Sequence, residues 1–163
     1  MYVRKAQFDD LSAIMNIYHI AQDLMIKSGN PTQWGRTYPA YELIEQDIAD
    51  EVCHLVCDDE TLHGVFALFK GDEPTYSYIE NGEWLNDDAY VTIHRIASDG
   101  KAKGIFKYAI DHCRKLSDNI RIDTHERNMI MQHLIEKNGF VKCGTIYVAN
   151  GSPRIAYQWS RKK

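Results

Sequence analysis

Two turns set between strand-like runs constrain this chain more than any other feature. Val52–Cys57 and Leu62–Phe69 are apolar runs separated only by the acidic turn Asp58-Asp59-Glu60-Thr61 and its flank. Val141–Val148 and Arg154–Trp159 stand on either side of Asn150-Gly151. Each arrangement signals a hairpin, and Asn-Gly signals it strongly because both residues tolerate the left-handed backbone of a tight turn. Between the hairpins, Tyr90–Ala97 reads as a strand, Ile105–Leu116 as a helix, Ile120–Thr124 as a strand and Asn128–Asn138 as a helix. Gly139 is well placed as the left-handed C-cap of that last helix. Hairpins pair antiparallel, whereas strands joined through a helical crossover pair parallel, so the sheet must be mixed.

Ahead of the first hairpin, residues 2–6 read as a short strand. Leu11, Ile14, Tyr18, Ala21 and Met25 then recur on one helical face, with Asp9 or Asp10 as the expected cap and Gly29-Asn30-Pro31 as the stop. Pro39 admits a second helix to about Asp50. The element order is β-α-α-β-β-β-α-β-α-β-β, with no internal repeat or linker, and a chain of 163 residues is expected to form a single domain over 1–163. The expected class is α/β (α+β), with a central mixed, mostly antiparallel sheet of about seven strands and about four helices on both faces.

Composition narrows the functional classes. Nineteen basic residues against 23 acidic ones give a net charge of -4, where a general nucleic-acid binder would be basic. The longest purely apolar run, Val65–Phe69, is far short of the roughly 20 residues of a membrane span. Met1-Tyr2-Val3-Arg4-Lys5 leads into Asp9 and Asp10 without an apolar core, so no secretory signal is expected and the cytoplasm is the expected location. Cys53, Cys57, His54 and His63 invite a zinc reading. An extended strand, however, separates residues four apart by about 13 Å, while two thiolates on one zinc lie about 4 Å apart. Cys113 sits on a helical apolar stripe and Cys143 inside a strand, so all four cysteines are expected to be buried small hydrophobes and no metal is expected.

The stretch Ser98-Asp99-Gly100-Lys101-Ala102-Lys103-Gly104-Ile105-Phe106-Lys107 runs from strand into helix. Its glycines permit unusual backbone angles, and the free N–H groups at a helix start suit a phosphate. Lys101, Lys103 and Lys107 reverse the local charge of an acidic chain. Neither GxGxxG nor the P-loop pattern is matched.

From Tyr90 to Trp159 the chain resembles the GNAT superfamily of acyl-CoA-dependent N-acyltransferases. The pieces are His94-Arg95-Ile96-Ala97-Ser98, then Lys101-Ala102-Lys103-Gly104-Ile105-Phe106, then Asn128 and Glu136-Lys137-Asn138-Gly139-Phe140. Gln33-Trp34, Tyr38-Pro39, Asp123-Thr124-His125, Met131-Gln132 and Gly151-Ser152-Pro153-Arg154 extend the likeness over the whole chain, to a bacterial subgroup of that superfamily. The resemblance implies a GNAT-like sheet and acetyl-CoA as co-substrate. It also implies pyrophosphate binding by Lys101, Lys103, Gly104, Ile105, Phe106 and Lys107, and pantetheine held by the backbone of Ile96, Ala97 and Ser98. Asn128 would hold CoA or orient the loop. The chain departs from the family's pattern at Phe106, where Gly or Ala is usual, and at Lys101, where Gln or Arg is usual. Thr92 stands where a Glu base is common, and Ile135 where a Tyr acid is common.

Acylation of an amine needs a neutral amine and a proton for the departing thiolate. Strand alternation is expected to put Thr92, His94 and Ile96 on one face, which makes His94 a candidate catalytic residue, with His125 and Tyr147 as further candidates. Trp34, Tyr38 and Trp84 fall in loops that, in this superfamily, shape the acceptor site. The expected activity is direct transfer of an acetyl group to a primary amine, on a small-molecule or peptide acceptor, with no nucleic acid or membrane partner and with a homodimer left open. The alternative expectation is a catalytically silent acyl-CoA-binding or protein-interaction module on the same fold.

Overall fold

The computed structural model describes residues 1–59 and 61–162. Among them are strands β1 (Tyr2–Lys5), β2 (Cys53–Cys57), β3 (Leu62–Lys70), β4 (Val91–Ser98), β5 (Asn119–Thr124), β6 (Val141–Tyr147) and β7 (Pro153–Ser160). The helices are α1 (Leu11–Lys27), α2 (Tyr41–Ala49), α3 (Ile105–Arg114) and α4 (Met129–Lys137). The strands form one seven-stranded mixed sheet in the order β1-β2-β3-β4-β5-β7-β6. Both hairpins and the expected element order are present. No helix among the described residues is long and apolar enough to cross a membrane.

Two compact units divide the chain, and β4 is shared between them. The first comprises Met1–Leu68 and His94–His112. In it β1 pairs antiparallel with β2 (Val3↔Val56) and β2 antiparallel with β3 (Leu55↔Val65). α1 and α2 turn Ile14, Ile17, Tyr18, Ile44 and Ile48 into one core with Leu55, Val65 and Ala97. Burying an aliphatic side chain of this kind is worth about 1.5–3 kcal/mol, so the stripe read from the spacing is what commits α1 to its place. Asp10 does not cap α1 with its side chain. Its carboxylate instead accepts both Arg4 Nη atoms at 2.8 Å and the Gln7 N–H at 2.8 Å, closing a short 3-10 turn over Phe8–Asp10. A nearby guanidinium outcompetes the helix end for that carboxylate, and it holds the Asp10 pKa below the usual carboxylate range.

Gly64 in β3 makes room for α3. A Cβ at Gly64 would lie 2.4 Å from Ile105 Cγ2 and 3.3 Å from the Ala97 carbonyl, so the first residue of α3 seats in a notch that only glycine leaves.

The second unit comprises Phe69–Ile93 and the chain from Cys113 on. β4 pairs parallel with β5 (Val91↔Ile120), β5 antiparallel with β7 (Ile122↔Tyr157) and β7 antiparallel with β6 (Thr145↔Ile155). Tyr76 and Tyr90 join Ile146 and Ala156 in a core of their own, against which Trp84 packs. The Arg121 guanidinium lies over the Trp84 ring at 4.1 Å and over the Tyr90 ring at 4.0 Å, a cation–π arrangement that ties the 71–90 excursion to β5. α4 is capped at its start by the Asn128 side chain and stopped by Gly139, whose φ is +88°.

Candidate active site

In the first unit, a turn carrying two glycines joins β4 to α3. Gly100 and Gly104 take φ of +74° and +77°, the left-handed values expected of them. The Tyr108 N–H closes the first helical turn on the Gly104 carbonyl at 3.1 Å. The N–H groups of Ile105, Phe106 and Lys107 precede that bond and have no acceptor within the helix. Ile105 and Phe106 are both buried, at 5% exposure each, so their side chains anchor the turn from below. Phe106, where the family's pattern has Gly or Ala, is thus one of the buried side chains of this turn. Lys101 and Lys103 are exposed. Lys107 reaches Asp111 at 2.6 Å, one turn along the helix, so its charge is partly spoken for.

Ser98 and Asp99 shape the approach. The Gly100 N–H points at Ser98 Oγ at 3.4 Å, and the Lys101 N–H donates to Asp99 Oδ1 at 2.9 Å. Asp99 in turn meets the His63 ring, whose other nitrogen meets Asp58. Sequence reading misses this trio, because 36 residues separate His63 from Asp99 and only the sheet brings them together.

Two residues before Ala97, the strand departs from the expected alternation. Arg95 has φ +54°, a left-handed conformation inside β4. Strict two-residue alternation does not carry through such a residue, so Thr92, His94 and Ile96 do not share a face by pleat alone. Three side chains hold Arg95 there. Tyr18 donates its hydroxyl to the Arg95 carbonyl at 2.7 Å. The guanidinium donates through Nε and Nη2 to the two Asp47 oxygens at 2.9 and 2.8 Å, and through Nη1 to Tyr38 Oη at 3.3 Å. The Arg95 and Asp47 side chains are only 10% and 5% exposed. Burial pushes the Asp47 pKa up and works against the guanidinium; at Arg95 the hydrogen bonds donated to Asp47 and Tyr38, together with their charges, outweigh burial, and the pKa is raised. The pair is a bidentate, desolvated fork.

Trp34 and Tyr38, both expected at the acceptor site, lie beside this ion pair. The Trp34 ring stands edge-on to Tyr18 at 5.7 Å and tilts against Tyr38 at 6.2 Å. Trp34 packs on the core, while Tyr38 is 40% exposed. His94 is half-buried next to Arg95 and within electrostatic reach of Asp47. Ile96 and Ser98 are half-buried and Ala97 is buried.

The remaining candidates belong to the second unit. His125, at the end of β5, accepts the Arg127 N–H at Nδ1 at 3.0 Å. That bond places the ring proton of the neutral form on Nε2, and burial with the nearby Arg154 charge lowers the pKa. His125 is thus set as a hydrogen-bond donor at Nε2. Asn128 is buried and spends its Oδ1 on the Met131 N–H at 3.1 Å, capping α4. The Tyr147 hydroxyl donates to Glu80, which also accepts from Tyr78 at 2.8 Å, and the bond to Glu80 raises the Tyr147 pKa. Trp84 gives its indole N–H to the Tyr76 carbonyl at 3.0 Å and packs against the Tyr76 ring at 5.0 Å. It is taken up by the anchoring of its own loop.

No protein-family model matches the chain, and no curated protein matches it. Solved structures do. A GNAT-family acetyltransferase from Streptococcus agalactiae is 29% identical, with a TM-score of 0.89, over 99% of this chain and 95% of that one. A GNAT-family acetyltransferase from Listeria monocytogenes is 24% identical, with a TM-score of 0.71, over 97% of this chain and 93% of that one. A ribosomal-protein-alanine N-acetyltransferase from Brucella melitensis shares the fold at 15% identity, with a TM-score of 0.64, over 98% and 99% of the two chains.

Proposed function

We propose, for a chain that has the fold of the GNAT-family acetyltransferases, that it transfers an acetyl group from acetyl-CoA to a primary amine by direct attack in a ternary complex. The observation that carries this reading is the β4–α3 turn. Its left-handed glycines, its free helix-start N–H groups and its inward Phe106 together fit a pyrophosphate at close range. Acetyl-CoA supplies the activated acyl group as a thioester. Lys101 and Lys103 add charge above the turn, and the backbone of Ile96, Ala97 and Ser98 lies where a pantetheine arm would run alongside β4. The left-handed Arg95, pinned by Asp47 and Tyr18, sets the direction in which that backbone leaves the strand.

Trp34 and Tyr38 border the same strand and offer an aromatic wall to the acceptor, whose amine, charged at neutral pH, is attracted to ring faces. His94 is the residue of this unit best placed to take a proton from the amine before attack. Positioning alone contributes a large part of the acceleration in such transfers. The free cysteines suit a reducing compartment, which supports work in the cytoplasm.

Reversing Lys101 and Lys103 to Glu is expected to weaken acetyl-CoA binding about tenfold or more, since it removes charge-assisted attraction and introduces repulsion. The wild-type affinity should also fall as salt is raised, because the lysines are exposed and screened. Calorimetry on the folded double variant checks both, and an unchanged dissociation constant overturns the assignment. Release of free thiol in the presence of a panel of amines then tests transfer. Binding without release would mark the chain as a silent acyl-CoA-binding module.

A further inference from the structure

We propose that His63 is a positioning residue for the β4–α3 loop: from β3 its ring holds the Asp99 carboxylate, and as an imidazolium it cancels that carboxylate's charge, so that CoA affinity falls as the pH rises. The proposal rests on the reading of that loop as the CoA pyrophosphate site.

The geometry requires the charged ring. His63 Nδ1 lies 2.9 Å from Asp99 Oδ2, and Nε2 lies 2.8 Å from Asp58 Oδ2. An ionised carboxylate only accepts, so both bonds form only when both ring nitrogens carry protons. A neutral ring keeps one N–H and turns a lone pair toward the other carboxylate. The two carboxylates are not equivalent. The Asp99 side chain is 8% exposed, while that of Asp58 is 47% exposed. Asp99 is further committed by the Lys101 N–H on its Oδ1, and the Asp99 N–H returns to the His63 carbonyl at 2.9 Å. On deprotonation the remaining N–H therefore stays with Asp99 and the loop keeps its bond to β3; what is lost is the bond to Asp58 and the positive charge beside the Asp99 carboxylate.

Charge makes the consequence larger. Asp99 opens the loop that is to receive a pyrophosphate, and its carboxylate repels one unless it is compensated. The imidazolium is the compensating charge, and the groups that face it are Asp58 from the hairpin turn and Asp99 from the loop. The hydrogen bond to Asp58, then that to Asp99, raise the His63 pKa above the ordinary 6.5. The compensation is complete below that ordinary value and is lost as pH rises through the folded one.

The test uses the full chain. CoA is titrated into wild type, His63→Gln and Asp58→Asn between about pH 6 and about pH 9 at constant ionic strength, spanning the range of a raised histidine. Wild-type affinity is expected to fall about three- to tenfold beyond the change seen in His63→Gln, corresponding to about half a unit to one unit of proton linkage. Asp58→Asn, which leaves the loop itself intact, should move the fall to lower pH. In parallel, NMR follows the His63 ring and the Gly100 and Lys101 amides without ligand; the amides are expected to titrate together with the ring, above 6.5. Parallel pH profiles for wild type and His63→Gln overturn the proposal, as does a ring that titrates without moving the amides. If CoA fails to bind wild type at every pH, the cofactor reading falls. The NMR titration then decides the clamp by itself: coupled amides support it, uncoupled amides overturn it.

Discussion

Phe106→Ala is expected to destabilise the protein by about 3 kcal/mol or more, the usual cost of emptying an aromatic core site. Phe106 is 5% exposed and stands on the buried stripe of α3 with Ala109, Ile110 and Cys113, each 0% exposed. None of these neighbours is long enough to fill the space of a missing phenyl ring. In a chain of this size the destabilisation corresponds to a fall of about 6–12 °C in melting temperature. CoA affinity, measured well below that temperature, should change little, because the N–H groups of the turn do not depend on the side chain. A melting temperature that stays put, together with CoA binding that wild type lacks, would show instead that the ring fills the anion position.

Asp47→Ala is expected to cost about 3–5 kcal/mol, the penalty for stranding one charge of a buried pair. The stranded charge is the Arg95 guanidinium, 10% exposed, for which the neutral Tyr38 hydroxyl at 3.3 Å is no substitute. The backbone is affected as well. A left-handed arginine inside a strand persists only where its surroundings over-determine it, and Asp47 supplies one of the interactions that do so. Replacing both partners, with Asp47→Leu and Arg95→Met, should recover most of the stability, since well-packed apolar residues often replace a buried pair without penalty. Urea unfolding of the three proteins checks this. A single variant within about 1 kcal/mol of wild type would mean that the pair contributes no more than a surface bridge.

The features legible in the sequence were those with a local cause. Gly151 and Gly139 announce a turn and a helix stop because few other residues take a positive φ, and both lie where the spacing predicts. The apolar stripe of α3 foretells which way Phe106 turns, since a ring at that period has only the core to enter. Arg95 shows the opposite case. Nothing in an arginine advertises a positive φ; the conformation is imposed by Asp47, 48 residues away, and by Tyr18, 77 residues away. Asp10 fails as a side-chain cap for a similar reason, because Arg4 reaches it across the start of the fold. Trp84 reads as an acceptor-site aromatic until the Arg121 guanidinium and the Tyr76 carbonyl are seen to claim its ring face and its N–H. The glycine- and lysine-bearing loop is therefore legible as composition, while the groups that hold it in place are not.

The buried cysteines have a practical consequence. Cys53, Cys57, Cys113 and Cys143 are all free and buried. Burial pushes the Cys53 and Cys113 thiols up to about 12 and raises those of Cys57 and Cys143. Reagents that capture sulfur attack the thiolate, which such sites scarcely populate and do not present. The folded protein is accordingly a dark background for sulfhydryl colorimetry, against which CoA released in the proposed transfer would register undiluted. The same four sulfurs become a stopwatch for opening: each one that colours reports a molecule that has, for a moment, come apart.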